Sequence, residues 1–207
     1  MKKAIAVIGE GITEKYYIES LKGLTPFTLY PRELGRKASS LIVLEKNIKE
    51  AIEDGYDEVF ILVDMDNKAE GKNKIKYEQL KGKYHGKECV IKKKGISCKV
   101  TFIETERCLE LWFLFHFTKK TITREFSSYA DIERELRKYR KGYGKYEKYF
   151  RSIGNIHEEL TTKTPKGSLK RAVENSISSD TTRRRDGRSY TYSEMHVFIT
   201  ALKIELD

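Results

Sequence analysis

KAIAVIGEGITEKYY, residues 3–17, and VFILVDMDN, residues 59–67, decide the fold between them. Each is a short apolar run rich in Val and Ile that stops abruptly at acidic residues. Runs of this length, bounded by Gly or Asp, read as strands buried on both faces of a parallel sheet. Glu10 and Glu14 follow the first run, and Asp64 and Asp66 follow the second. Ligands on open parallel sheets collect outside the carboxyl ends of the strands. If both runs belong to one sheet, the four carboxylates lie off the same edge. They repel one another there unless protons or cations neutralise them. A hard divalent cation, which prefers oxygen ligands, is the natural partner.

The rest of the composition suits that reading. The 207 residues suffice for one domain with an appendage and a sizeable core. A charged content of 35% against 39% apolar describes a polar globule. The formal charge of +10 points to a polyanionic partner, nucleic acid before an anionic membrane surface. No apolar run approaches the ~18–20 residues that span a bilayer. The opening MKKAIAVIGEGITEK resembles a signal peptide only briefly, because its apolar segment is short and ends in charge. Cys89, Cys98 and Cys108 are odd in number and show no CxxC spacing, so neither a disulfide framework nor a zinc site is indicated. The expected compartment is a reducing cytoplasm.

Along the chain, a strand over 3–8 is followed by a helix over 13–21, with Thr13 as its predicted N-cap. Glu14 falls in the first turn, where a carboxylate also suits the helix dipole. It is therefore either a helix-start residue or a metal ligand. Glu10, between Gly9 and Gly11, is not needed for such a turn, and the glycines permit close approach by another group. A second strand is expected over 27–30, with Pro31 marking an edge, then a helix over 41–52. Asp64 and Asp66 point to one side of an extended segment; the alternative is that they cap the loop before the lysine-rich 68–76. Residues 77–94 read as a solvated helix and loop with His85 exposed, and 99–103 as a short strand. CLELWFLFHF, 108–117, is apolar nearly all round, so its helix is buried and its Glu110 and His116 are either satisfied core groups or parts of a site. Those two do not share a helix face.

From about residue 119 the pattern becomes helical: 129–139, 146–160, 169–177 and 193–206. Two basic stretches interrupt it. RKYRKGYGKYEK, 137–148, carries Arg137, Lys138, Arg140 and Lys141 among interleaved tyrosines. TTRRRDGR, 181–188, carries Arg183, Arg184, Arg185 and Arg188, and reads as a mobile loop. Basic and aromatic residues in alternation suit a phosphate backbone with stacked bases; the alternative is a solvated face with tyrosines packed inward.

These residues carry a family resemblance. EGITEKYY after one strand, with VDMD after the next buried strand, resembles a Toprim domain, the metal-binding fold of topoisomerases, bacterial primases and the overcoming-lysogenisation-defect nucleases. The EGxTE form is closest to the nuclease branch. CLELWFLFHF is similar to the CFELWLLLHF block of the RloB-like family, and GSLKRAVENS followed by YSEMHVFITALKIEL is similar to that family's tail. One departure stands out, since Glu106-Arg107 replace the Asn-Pro usual before the Cys. The resemblance implies an α/β fold: a Toprim-like parallel sheet flanked by helices over residues 1–118, then a mainly helical basic region over 119–207. It implies Glu10 as the Toprim glutamate and Asp64 and Asp66 as the DxD pair. GEGITE also half-matches a dinucleotide fingerprint, but Glu14 replaces the third glycine and no GxxxxGK[ST] is present.

Two function classes follow. In the first, the chain is a Mg²⁺- or Mn²⁺-dependent phosphodiesterase acting on DNA or structured RNA. Glu10, Asp64 and Asp66 are then catalytic, Glu14 joins them on the metal, and Glu110 and His116 are accessory. The resemblance implies phage defence with an ABC- or SMC-type ATPase as partner, and a homodimer is compatible with it. In the second, the chain is a non-catalytic nucleic-acid-binding or sensor subunit of a defence complex.

Overall fold

The computed structural model describes residues 3–33, 41–66, 68–69, 71–187 and 191–206. Five strands form one sheet: β1 (Ala4–Gly9), β2 (Thr28–Glu33), β3 (Glu58–Asp64), β4 (Glu88–Ile91) and β5 (Ile96–Thr105), in the order β2-β1-β3-β5-β4. The first four strands in that order run parallel, and β4 pairs antiparallel with β5. The two opening stretches are therefore neighbouring parallel strands, as their composition predicts. Pro31 sits in edge strand β2, opposite Val7, where a missing N–H is tolerated. β4 falls in a segment read from sequence as helix and loop. Its alternation of exposed and half-buried residues is that of a strand with only one neighbour.

Alternate residues of the central strands enter two different cores. Ile5, Val7, Phe60, Leu62 and Ile103 pack on one face with α1 (Ile12–Leu21) and α4 (Glu110–Phe115). Ala6, Ile8, Val59, Ile61 and Phe102 pack on the other with α2 (Leu41–Glu53) and α3 (Gly71–Tyr84). Burial on both faces is why these strands are apolar throughout instead of alternating.

The later helices are α5 (Tyr129–Leu136), α6 (Glu147–Ile153), α7 (Ile156–Thr161), α8 (Leu169–Asp186) and α9 (Met195–Ala201). They share the first core: Phe150, Leu160, Leu169 and Phe198 join Tyr17, Trp112 and Phe113. The change near residue 118 is thus a change of secondary structure within one continuous core. The helix expected over 146–160 is broken in two at Gly154, whose φ of +72° no β-carbon residue adopts cheaply. The predicted mobile loop of arginines is instead the last turn of α8, closed by Gly187 at φ +65°. Cations in the last turn suit the helix dipole there. Arg188 lies outside the described residues.

Arg140 holds this helical region together. Its Nε donates to Glu159 O (2.7 Å), its Nη1 to Tyr139 O and Pro165 O, and its Nη2 to Leu160 O and Lys163 O. It is 3% exposed, and its guanidinium lies 4.6 Å from the Phe117 ring centroid. It satisfies the open carbonyls at the end of α7. Arg140 is therefore structural, and the expectation that it contacts phosphate is corrected. Arg140→Ala should lower stability by about 2–4 kcal/mol in urea unfolding, because it strands several buried carbonyls. Arg140→Lys should recover little of that loss, since one ammonium cannot reach all five carbonyls.

Candidate metal centre

The site is assembled where β1, β3 and β5 end together: Ile8 lies opposite Ile61, and Asp64 opposite Thr105. Glu10 leaves the first strand, Asp64 ends the second, and the chain after the third turns into α4, whose first residue is Glu110. α1 begins immediately after the first turn with Gly11, not Thr13, as its N-cap. Glu14 Oε2 accepts from the Gly11 N–H at 2.9 Å, so the helix-start reading of Glu14 holds. Its Oε1, however, is buried and without a hydrogen-bond partner. A β-carbon on Gly9 would stand 2.3 Å from Glu14 Cβ. The close approach for which that glycine is needed is therefore made by Glu14 itself.

Thr13, displaced from the cap, is fully buried and donates to Glu110 Oε1 at 2.9 Å. Tyr143 OH donates to the same oxygen, also at 2.9 Å. Glu110 Oε2 is buried and unpartnered. Asp64 Oδ1 accepts from the Leu109 N–H at 3.0 Å. Into this group reaches Lys145, its Nζ 3.6 Å from Glu110 Oε1 and 3.8 Å from Asp64 Oδ2. The turn carrying it has Gly142 at φ +82° and Gly144 packed on the Tyr146 ring. On the other side, Lys68, 6% exposed, pairs with Glu10 Oε1 at 2.7 Å and donates to Asp64 O at 2.9 Å. Asp66 is exposed at the rim of a cavity it lines together with Asp64 and Lys145.

The electrostatics follow from burial. Desolvation raises the Glu14 carboxyl to about 7, against the pull of Lys145 and with a further push from Glu110. Asp64 is driven well above its ordinary range by burial and by the Glu14 charge, with Lys145 opposing. Burial also raises Glu10, which Lys68 partly offsets. Lys145 is pulled down by burial, but Glu110, Asp64 and Glu14 outweigh this and raise it. Fully ionised, Glu14, Asp64 and Glu110 with one ammonium would leave a formal charge of −2.

The four predicted carboxylates are thus only partly brought together. Glu14 and Asp64 meet Glu110, while Glu10 is taken by Lys68 and Asp66 stands at the rim. Among the described residues, no group of three or more His, Cys, Asp or Glu is arranged to hold a metal ion as it stands. In kind, the donors nonetheless fit a hard cation: they are carboxylate oxygens, and two of them, Glu14 Oε1 and Glu110 Oε2, are buried with nothing bound. His116 is not part of the group. It sits at the far end of α4 with Nδ1 3.0 Å from Trp112 O and its ring against Trp112.

The basic residues are distributed differently from the sequence expectation. Arg183 is bound to Asp180 and Glu194, each at 2.8 Å, and lies over the Tyr192 ring. Arg184 and Arg185 are exposed and pair with Asp180 and Asp186. Arg137 and Lys138 pair along α5 with Glu133 and Glu135, and Lys141 is exposed. Exposed pairs of this sort contribute about 0–1 kcal/mol, so they can be exchanged for a phosphate; Arg183 cannot without dismantling its network. Sequence reasoning missed Lys68 and Lys145. The only local signal for Lys145 was its place in GYGK, where two glycines bracket Tyr143.

The architecture and the site define an α/β protein with a buried acidic centre at the carboxyl edge of a mostly parallel sheet. The profile of the RloB-like protein family matches residues 5–202, and the chain belongs to that family. No curated protein and no solved structure matches it. Among the described residues, no helix is long and apolar enough to cross a membrane.

A pH dependence follows from Glu14. The unfolded chain ionises this carboxyl near 4.5, whereas the folded chain keeps its proton to about 7. Between those values the folded state binds more protons, so its stability falls as pH rises. His85 and His196, held below their ordinary range by burial, act in the opposite sense, so the comparison must be with a variant. Glu14→Gln should flatten the decline between pH 5 and pH 8, and be the more stable protein at pH 8 by about 1–3 kcal/mol. Thermal unfolding across that range checks it.

Proposed function

We propose that the chain is a divalent-metal-dependent nuclease that cleaves phosphodiester bonds, built on a Toprim-like domain. The observation that carries this reading is the buried group Glu14, Asp64 and Glu110, which has a single ammonium among it and two carboxylate oxygens with no partner. Carboxylates are not buried in this state without a cation or protons to compensate them. Asp64, Glu14 and Glu110 would hold Mg²⁺ or Mn²⁺, with Glu10 and Asp66 at the rim. Bound there, the ion would activate water and polarise the scissile phosphate. The chain's own contribution is to hold these oxygens in a dry edge of the sheet, fixed by Thr13, Tyr143 and the Leu109 N–H. Membership of the RloB-like family supports a role in defence against phage alongside an ATPase, with nucleic acid as substrate.

A second reading has its own observation. Lys68 and Lys145 already compensate Glu10, Asp64 and Glu110, as a non-catalytic nucleic-acid-binding subunit would require.

The choice of variant matters. Asp64→Ala would strand the Leu109 N–H, and Glu10→Ala would leave the buried Lys68 unpaired, so each would lose stability for reasons unrelated to metal. Asp64→Asn keeps an acceptor oxygen. It should fold, lose at least about 100-fold in Mn²⁺-supported cleavage, and lose most of the thermal stabilisation that Mn²⁺ confers on the parent chain. If Mn²⁺ stabilises Asp64→Asn and the parent chain equally, the binding-subunit reading is the correct one.

A further inference from the structure

Beside the buried carboxylates lies a cavity of about 360 Å³, lined by Asp64, Asp66, Arg107, Ser128, Tyr129 and Lys145 among others. Arg107 is the unexpected member. Its φ is +64°, a conformation that L-residues with a β-carbon seldom adopt. Its Nε is tied to Phe126 O at 2.8 Å, and an oxygen of the Glu106 carboxylate lies 3.6 Å away. Strain of this sort persists where the surrounding structure demands it, and it collects at ligand clamps. Here the left-handed residue sits between β5 and α4 and lines the acidic cavity.

A cavity that combines two aspartates with an arginine and a lysine suits a ligand able to satisfy both signs. A phosphate does so: its oxygens would accept from the cations, and a divalent ion held by the carboxylates would offset the negative charge between them. Guanidinium matches phosphate geometry better than any other side chain. Tyr129 lines the same cavity, with the Lys145 ammonium over its ring at 5.4 Å from the centroid. At this volume the cavity is near the small end of ligand pockets, about 300–1,000 Å³. That is room for one nucleotide unit.

We propose that Arg107 and Lys145 hold the phosphate of one unpaired nucleotide in this cavity, with Tyr129 as the surface for its base. The substrate class is then single-stranded or locally unpaired nucleic acid. This rests on the nuclease reading for its chemistry but not for its test, because binding is read without turnover.

The full chain is titrated into labelled single strands of about eight nucleotides, DNA and RNA, and into a duplex of the same length, by fluorescence anisotropy. The titrations are run in EDTA and again in calcium buffer. The parent chain should bind the single strands more tightly than the duplex. Arg107→Gly removes the guanidinium but suits the positive φ, so its Tm should stay close to the parent's. It should bind the single strands about tenfold more weakly, with the salt slope reduced by about 0.7. Arg107→Lys, which keeps the charge without the fork, should fall between the two and serves if the glycine variant does not fold. Unchanged affinity and salt slope in the Arg107 variant that folds would overturn the proposal, and so would a parent chain that binds duplex as tightly as single strand. If the Arg107 variants lose binding while no preparation cleaves, the clamp stands and the nuclease reading fails. If the parent cleaves and the variants bind and cleave like it, the reverse is true.

Discussion

Everything at this site follows from gathering three carboxylates, Glu14 and Glu110 fully buried and Asp64 partly so, under the edge of a parallel sheet with one ammonium between them. Charge in such a place is costly, and each carboxylate raises the cost for the others. The chain meets it by several means. Glu14 and Asp64 hold protons above their ordinary range. Glu110 takes two hydroxyl donors on one oxygen. Lys145 is drawn in from a turn far along the chain. What remains uncompensated, two bare oxygens, is the part of the structure that calls for something from solution.

The same constraint explains why the helical region is not an appendage. Lys145 and Tyr143 come from the turn between α5 and α6, yet they complete a site whose other members lie at strand ends and on α1 and α4. That turn is held in place by its neighbours. Arg137 Nε donates to Tyr143 O, and Arg140 ties the end of α5 to the carbonyls after α7. Two residues that look, in the sequence, like part of a basic surface, Arg137 and Arg140, hold the turn that carries Lys145.

This is also where legibility in the sequence ran out. The strands ending at Gly9 and Asp64 could be read because burial on both faces leaves an unbroken apolar run, and because acids end each run at the sheet edge. Glu10, Glu14 and Asp64 could be placed near one another by that logic alone. The partners could not. Lys68 and Lys145 are ordinary members of lysine-rich segments until the fold brings them to Glu10 and Asp64. Thr13 is a good N-cap by type, but Gly11 begins the helix and frees its hydroxyl for Glu110, a contact across 97 positions. Arg140 stands in the same basic stretch as Arg137 and Lys141, and only packing buries it against the carbonyls of Glu159, Leu160 and Lys163. Local composition reports propensity and average exposure; which charge is buried against which is decided by tertiary packing.

The fold also contains its own control. Glu104, one strand position before Thr105 in β5, is as deeply buried as the acidic centre and lies near the same end of the sheet. It accepts from Tyr77 OH at 2.8 Å, from Lys81 Nζ at 2.5 Å and from Tyr192 OH at 3.1 Å, with Arg183 Nη1 at 3.4 Å. Burial alone would raise its carboxyl, but Lys81, Tyr77 and Arg183 together hold it below the ordinary value. Its oxygens are satisfied, its charge is matched, and its role is to fix α3 and α8 to the sheet. Glu14, buried to the same degree nearby, is left raised with one oxygen unpartnered, and Asp64, partly exposed to the cavity, is raised beside it. Since the chain can satisfy a buried carboxylate fully on this sheet, the unpartnered oxygens of Glu14 and Glu110, with that of Glu106 close by, are a property of this end of it. This is the physical ground on which the proposed metal site is put there and not at the arginine-rich end of α8.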